Sequence, residues 1–240
     1  MSLYTDAEYP ISAETESLHS DQLLSYSWSG TWGTAAQRTA IAATARMARC
    51  EAGVQESIGD EGLADSAELP EPARRVARAV ALGGIEIDRK FCEQAQADGV
   101  TEGAYVEIVG LVARIAHLDV FARGIGVPSR KLAEPVDDKA PSYERPPEAK
   151  QEGFFTTTVP SAPEGGALAE SLYGKDPAAN IRRSLSLVPD ETRRLIAILD
   201  QEYFSDKTIF DLSYSSHEAL SRPQIEIVAA KVSEYNQCFY

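Results

Sequence analysis

Apolar residues recur at three- and four-residue spacing through most of the chain. No convincing apolar–polar alternation runs over four to eight residues, so the pattern predicts helices and no strands. Thr34 is placed to cap a helix running to about Cys50, with alanines, Ile41 and Met47 as its apolar content. Pro70 and Pro72 open a second helix through Val76, Val80 and Leu82, which Gly83-Gly84 stops. A third runs from about Ile87 to Ala97, before Gly99. Thr101 caps the strongest one, with Val106, Val109, Val112 and Ile115, continuing to Phe121 and stopped by Gly124. Its apolar positions are too many for one stripe, so burial on more than one face is expected.

The pattern divides the chain. Residues 1–30 are polar and without sustained period, and read as an irregular arm docked through Trp28 and Trp32. Residues 31–130 form the first helical domain. Seven of the thirteen prolines fall between Pro128 and Pro163, so residues 131–163 read as an extended linker. Residues 164–240 form a second helical part. There Pro177 sits at a first helical position behind Asp176. Asp190 and Glu191 complement a helix dipole, ahead of Leu195, Ile198 and Leu199. Ser221 and Gln224 make a capping box for a last helix bearing Ile225, Val228 and Val232.

Composition narrows the partners. The formal charge is −14, from 37 acidic and 23 basic residues, which argues against nucleic acid and anionic membranes. The sequence carries no apolar run long enough to span a bilayer, and its first residues lack a secretory pattern. Three widely spaced cysteines, Cys50, Cys92 and Cys238, do not make a disulfide framework, so a cytoplasmic location is expected. No Cys/His cluster has zinc spacing and no phosphate-binding glycine pattern occurs, so no metal or cofactor is expected. His117 reads as a core or edge residue of its helix, His217 as a loop residue and His19 as part of the arm. Cys50 and Cys92 read as small buried apolar residues.

Candidate chemistry gathers in residues 221–240, SRPQIEIVAAKVSEYNQCFY. Glu226 stands among apolar residues of the last helix, and Cys238 follows twelve residues later. On one straight helix the two would be ~18 Å apart. Asn236 is a plausible cap for a new helix, which would fold back and place Cys238 at a helix start. Such a position lowers a thiol pKa to ~3.5–7.5, and a nearby carboxylate could then carry protons.

This segment resembles the alkylhydroperoxidase D and carboxymuconolactone decarboxylase family, whose redox signature is a glutamate, then C-x-x-C, then a histidine. Glu226 and Cys238 match the glutamate and the first cysteine. ALSRPQIEIVAAKVSEYNQCFY is similar to the motif helix along its length, and LSLVPDETRRLIAILDQEY to the lead-in helix of the peroxidase-related branch. The match departs where the second cysteine would stand at position 241, beyond Tyr240, with the histidine after it. A UGA codon there could encode selenocysteine; a fragmentary gene, a frameshift or a designed end are the other readings. A fainter likeness covers about residues 28–135. GTAAQRTAIAATARMARCEAG follows the motif helix, with Cys50 at the first cysteine, Gly53 at the second and Arg38 twelve residues before Cys50. GVTEGAYVEIVGLVARIAHLDVFARGIGVP is similar to the family's closing helix.

The resemblance implies an all-α, alkylhydroperoxidase-like bundle, a tandem of a degenerate copy and an incomplete one. It implies a thiol- or selenol-dependent peroxidase with a peroxide substrate, a thiol or disulfide reductant and a homo-oligomeric assembly. Cys238 would resolve the oxidised attacking group, and Glu226 would shuttle protons. Two alternatives stay open. A lyase of the decarboxylase branch would bind a small carboxylate through Arg38, Arg46 or Arg123. A non-catalytic scaffold would oligomerise through the apolar face of the last helix.

Overall fold

The structure is a computed structural model that describes residues 3–56, 69–136, 139–205, 208–216, 219–236 and 238. It is all-α. Among the described residues the only β pairing is an isolated antiparallel bridge between Lys150 and Thr158. The chain divides into two compact units, Met1–Leu195 and Ile196–Tyr240.

In the first unit, α1 (Ala13–Leu24) occupies the segment expected to be irregular. Ser12 caps it, its hydroxyl oxygen accepting from the Thr15 N–H at 3.1 Å. Two of its three buried residues, His19 and Gln22, are polar, so it has no apolar stripe to betray it. The His19 ring lies edge-on to Phe121, and its Nδ1 is 2.7 Å from the Tyr4 hydroxyl. A single 3₁₀ turn, Ser25–Ser27, follows. Of the two tryptophans, Trp28 stays half exposed. Trp32 packs so closely on α5 that a Cβ at Gly103 would meet its ring at 2.0 Å.

α2 (Ala35–Glu51), α3 (Glu71–Ala81), α4 (Arg89–Ala97) and α5 (Glu102–Gly124) lie where the periodicity put them. Thr34 caps α2 and Thr101 caps α5, each through its side-chain oxygen. The main core joins Leu111, Ile115 and Leu118 of α5 to Val76 and Ala77 of α3 and to the alanines of α2. Small residues on α2 let its backbone approach α5 without voids.

The described residues of the stretch 131–163 form no helix, and the stretch lies within the first unit, which runs on to Leu195. Free backbone amides seek acceptors wherever water is excluded. The Val136 N–H donates to the Ser27 carbonyl at 2.7 Å, and the Tyr143 N–H to that of Thr31 at 2.9 Å. The Thr157 N–H donates to a Glu102 carboxylate oxygen at 2.7 Å. Then come α6 (Gly166–Tyr173) and the single turn α7 (Asn180–Arg183), which starts after Ala179, so Pro177 lies outside it. α8 (Pro189–Glu202) carries Asp190 and Glu191 in its first turn, as expected.

The second unit is organised around Phe204 and Arg222, both buried. The Arg222 guanidinium lies 3.8 Å from the Phe204 ring centre. It also donates to the carbonyls of Ile209 at 2.7 Å and Asp211 at 3.2 Å, tying residues 208–211 to the last helix, α9 (Arg222–Tyr235). The capping box is present, with the Ser221 N–H donating to Gln224 at 2.8 Å. The expected apolar stripe of α9 is not a buried one, because Val228 and Val232 are exposed. No helix among the described residues is long and apolar enough to cross a membrane.

Candidate functional site

Glu226 sits in the second turn of α9, its side chain 42% exposed. Arg222, one turn earlier, donates to one of its carboxylate oxygens at 2.6 Å, and the Tyr203 hydroxyl donates to the other at 2.8 Å. These two donors hold the Glu226 carboxyl below the usual range, Tyr203 first and Arg222 second. Burial, and then the same carboxylate, push the Tyr203 hydroxyl up to about 12. The site therefore presents a fixed, ionised carboxylate at a half-open surface.

Cys238 is exposed. Asn236, expected to cap a further helix, is the C-terminal cap of α9, its side-chain amide donating to the Val232 carbonyl at 2.9 Å. The Cys238 N–H then closes on the Ser233 carbonyl at 2.9 Å, a C-terminal turn. Seven residues separate Ser233 from Glu226, ~10 Å of helix. The thiol and the carboxylate share a helix but not a hydrogen bond.

A second constellation lies buried in the first unit, and the sequence did not announce it. Arg114 of α5 grips Glu191 of α8 with two bonds, Nε to Oε2 at 2.9 Å and Nη2 to Oε1 at 3.0 Å. Its remaining nitrogen donates to the Gln22 amide oxygen and the Ser25 hydroxyl, each at 3.0 Å. Arg38 of α2 reaches Glu191 Oε1 at 3.4 Å and makes a short ion pair with Glu107 of α5. The Trp32 N–H donates to Glu107 at 2.6 Å. Gly110 makes room for this, since a Cβ there would stand 2.7 Å from Glu191 Oε2.

The two buried glutamates are driven apart. Burial alone would raise both. For Glu191 the charges of Arg114 and Arg38 overcome it, and the carboxyl lies below the ordinary range. For Glu107 burial prevails over Arg38, and the charge on Glu191 adds to it, so its carboxyl lies above that range. A third buried pair is separate. Arg46 of α2 clasps Asp119 of α5 through Nε at 3.0 Å and Nη2 at 2.7 Å, and Nη2 also reaches the Arg130 carbonyl.

These contacts bear on the carboxylate-binding arginines expected from the sequence. Arg38 and Arg46 are spent on internal carboxylates, and Arg123 is exposed with one nitrogen on the Val54 carbonyl. Cys92 is buried, its thiol pushed up by burial, while Cys50 is half-buried. His117 is half-buried in α5 and its ring stands edge-on to that of His19. His217 lies outside the described residues. The Arg222–Glu226 pair was open to reading from its i,i+4 spacing. No local signal joins Glu191 of α8 to Glu107 and Arg114, which lie two turns apart on α5.

The fold and its sites thus define an all-α protein with a buried ionic centre in one unit and, in the other, a carboxylate anchored in the second turn of a helix that an exposed thiol follows. Compared with known families, with curated proteins and with solved structures, the chain matches none of them.

Proposed function

We propose that this chain carries the thiol end of an alkylhydroperoxidase-type peroxidase, with Cys238 as resolving thiol and Glu226 as proton carrier. The reading requires an attacking thiol or selenol three residues after Cys238. That group takes one oxygen from a hydroperoxide, releases the alcohol and becomes a sulfenic or selenenic acid. The Cys238 thiolate attacks it, water leaves, and the resulting disulfide or selenenylsulfide is reduced by an external thiol. The observation that supports this is the anchoring of Glu226. Tyr203 and Arg222 keep an ionised, accessible carboxylate on the same helix that ends at an exposed thiol. Water or a histidine must bridge the distance between them.

The test is peroxide turnover by the protein expressed with whatever its gene encodes after residue 240. With cumene hydroperoxide and a dithiol reductant, Glu226→Gln should lower turnover ~10²-fold. Cys238→Ser should leave one round of alcohol release but abolish the disulfide seen by mass spectrometry. Turnover untouched by both changes would reject the reading.

One observation favours a second reading, a helical scaffold that assembles through α9. Ile227, Val228, Val232 and Tyr235 are all more than half exposed on this helix. Such a patch marks an association surface. Light scattering should give a mass above that of one chain, and Val228→Asp should return it to one; a single-chain mass for the unaltered protein would remove the scaffold reading.

A further inference from the structure

α5 is apolar around most of its circumference, and the core uses only part of it. Leu111, Ile115 and Leu118 face the main core, while Glu107 and Arg114 meet the buried ionic centre. A remaining face lines an open cavity of about 720 Å³, bounded also by the end of α3, the turn after it and residues 153–156. Its walls include Val80, Ile87, Val109, Ala113, Ala116 and Phe154. That volume is in the range that accepts a drug-sized or fatty-acid-sized molecule.

Among the described residues that line this mainly apolar space, one is a cation, and Tyr105, Thr156 and Ser184 add hydroxyls. Arg49, near the end of α2, is half-buried there. Its Nε donates to the Gln55 side-chain oxygen at 2.9 Å. The Gln55 amide in turn donates to Asp119 at 3.1 Å, and Asp119 is already held by two bonds from Arg46. So the nearby carboxylate is spent, and Gln55 orients Arg49 without neutralising it. Among the described residues, neither terminal nitrogen of Arg49 makes a hydrogen bond or an ion pair. Burial holds the guanidinium below its ordinary range, with Asp119 opposing that and Arg123 adding to it. A cation partly stripped of water, with unspent donors and an apolar cavity beside it, is complemented by an anion bearing an apolar tail.

We propose that the cavity binds a monocarboxylate with an apolar chain, the chain lying along α5 and the carboxylate resting on Arg49. The inference does not depend on the thiol reading, because every residue it uses lies in the first unit.

Dodecanoate is the probe, used below its micelle concentration with the full chain and followed by calorimetry. Dodecanoate should bind, and each two-carbon shortening should weaken it roughly tenfold, as expected for burial of methylene groups. Arg49→Met should weaken dodecanoate about tenfold and leave dodecanol unchanged, since only the charged bond is lost. Ala113 is on the open side of α5, so Ala113→Phe should fill the cavity and abolish binding of both without unfolding the helix, checked by circular dichroism. Cys238→Ser should leave binding as it is. Dodecyltrimethylammonium binding as well as dodecanoate, or Arg49→Met leaving dodecanoate unchanged, overturns the proposal. So does a change in molecular mass with Ala113→Phe, which would make a second copy of the chain the occupant.

Discussion

Replacing Glu191 by alanine should lower the stability of the protein by about 3–5 kcal/mol, the usual cost of removing one partner from a buried ion pair. The thermal midpoint should fall by roughly 10 °C. Arg114 is buried, and its four side-chain hydrogen bonds go to Glu191, Gln22 and Ser25. Without Glu191 its charge has only neutral acceptors and a Glu107 that is itself costly to ionise. Glu107→Gln should act on the pH dependence of stability. The buried Glu107 carboxyl lies above the ordinary range, so the folded state binds its proton more tightly than the unfolded state does. Stability from this group is greatest below the ordinary carboxylate value and is lost as pH rises through the raised one. The Glu191 carboxyl lies below the ordinary range, so its contribution is present above the ordinary value and lost as pH falls. Urea titrations between about pH 5 and pH 8 should therefore show the unaltered protein losing stability relative to Glu107→Gln as pH rises. A Glu191→Ala midpoint within ~2 °C of the original would show that the network contributes no net stability.

The second large effect concerns Arg46 and Asp119. Arg46→Met should cost about 3–5 kcal/mol, because Asp119 stays buried with only the Gln55 amide to meet its charge. The double change Arg46→Met with Asp119→Leu should recover much of that loss, since two apolar residues of similar size leave no uncompensated charge. A double-mutant cycle in urea reads the difference directly, and additive losses would contradict the pairing. Some cost should remain in the double variant, as the Arg130 carbonyl loses the donor it now has at 2.9 Å.

These predictions rest on groups that the sequence did not single out for stability. Arg38 and Arg46 stand in α2 among alanines, where a charged residue ordinarily reads as a solvated position. Both are buried because α5 offers carboxylates at matching heights. That match joins residues 69 and 73 positions apart along the chain, and nothing within either helix encodes it. The missed helix α1 has a related cause. It is held by polar groups, Gln22 on Arg114 and on the Arg194 carbonyl, so the apolar period that reveals a helix is missing. Asn236 carries a different ambiguity. Asparagine serves either end of a helix, and only the bonds of Cys238 and Asn236 back to Ser233 and Val232 settle which end it closes.

The amino-acid sequence by itself determined the helical class and the approximate places of α2, α3, α4, α5 and α9. Caps, prolines and apolar spacing act within one or two turns, and such short-range preferences survive whatever the rest of the chain does. It also placed Glu226 and Cys238 on one segment. Only the tertiary structure decided that the proline-rich stretch packs onto the first unit, that four buried carboxylates and arginines join α2, α5 and α8, and that one face of α5 stays open beside Arg49. Those outcomes depend on which groups meet across long loops, where a donor, a charge or an empty volume gains its meaning from its neighbours.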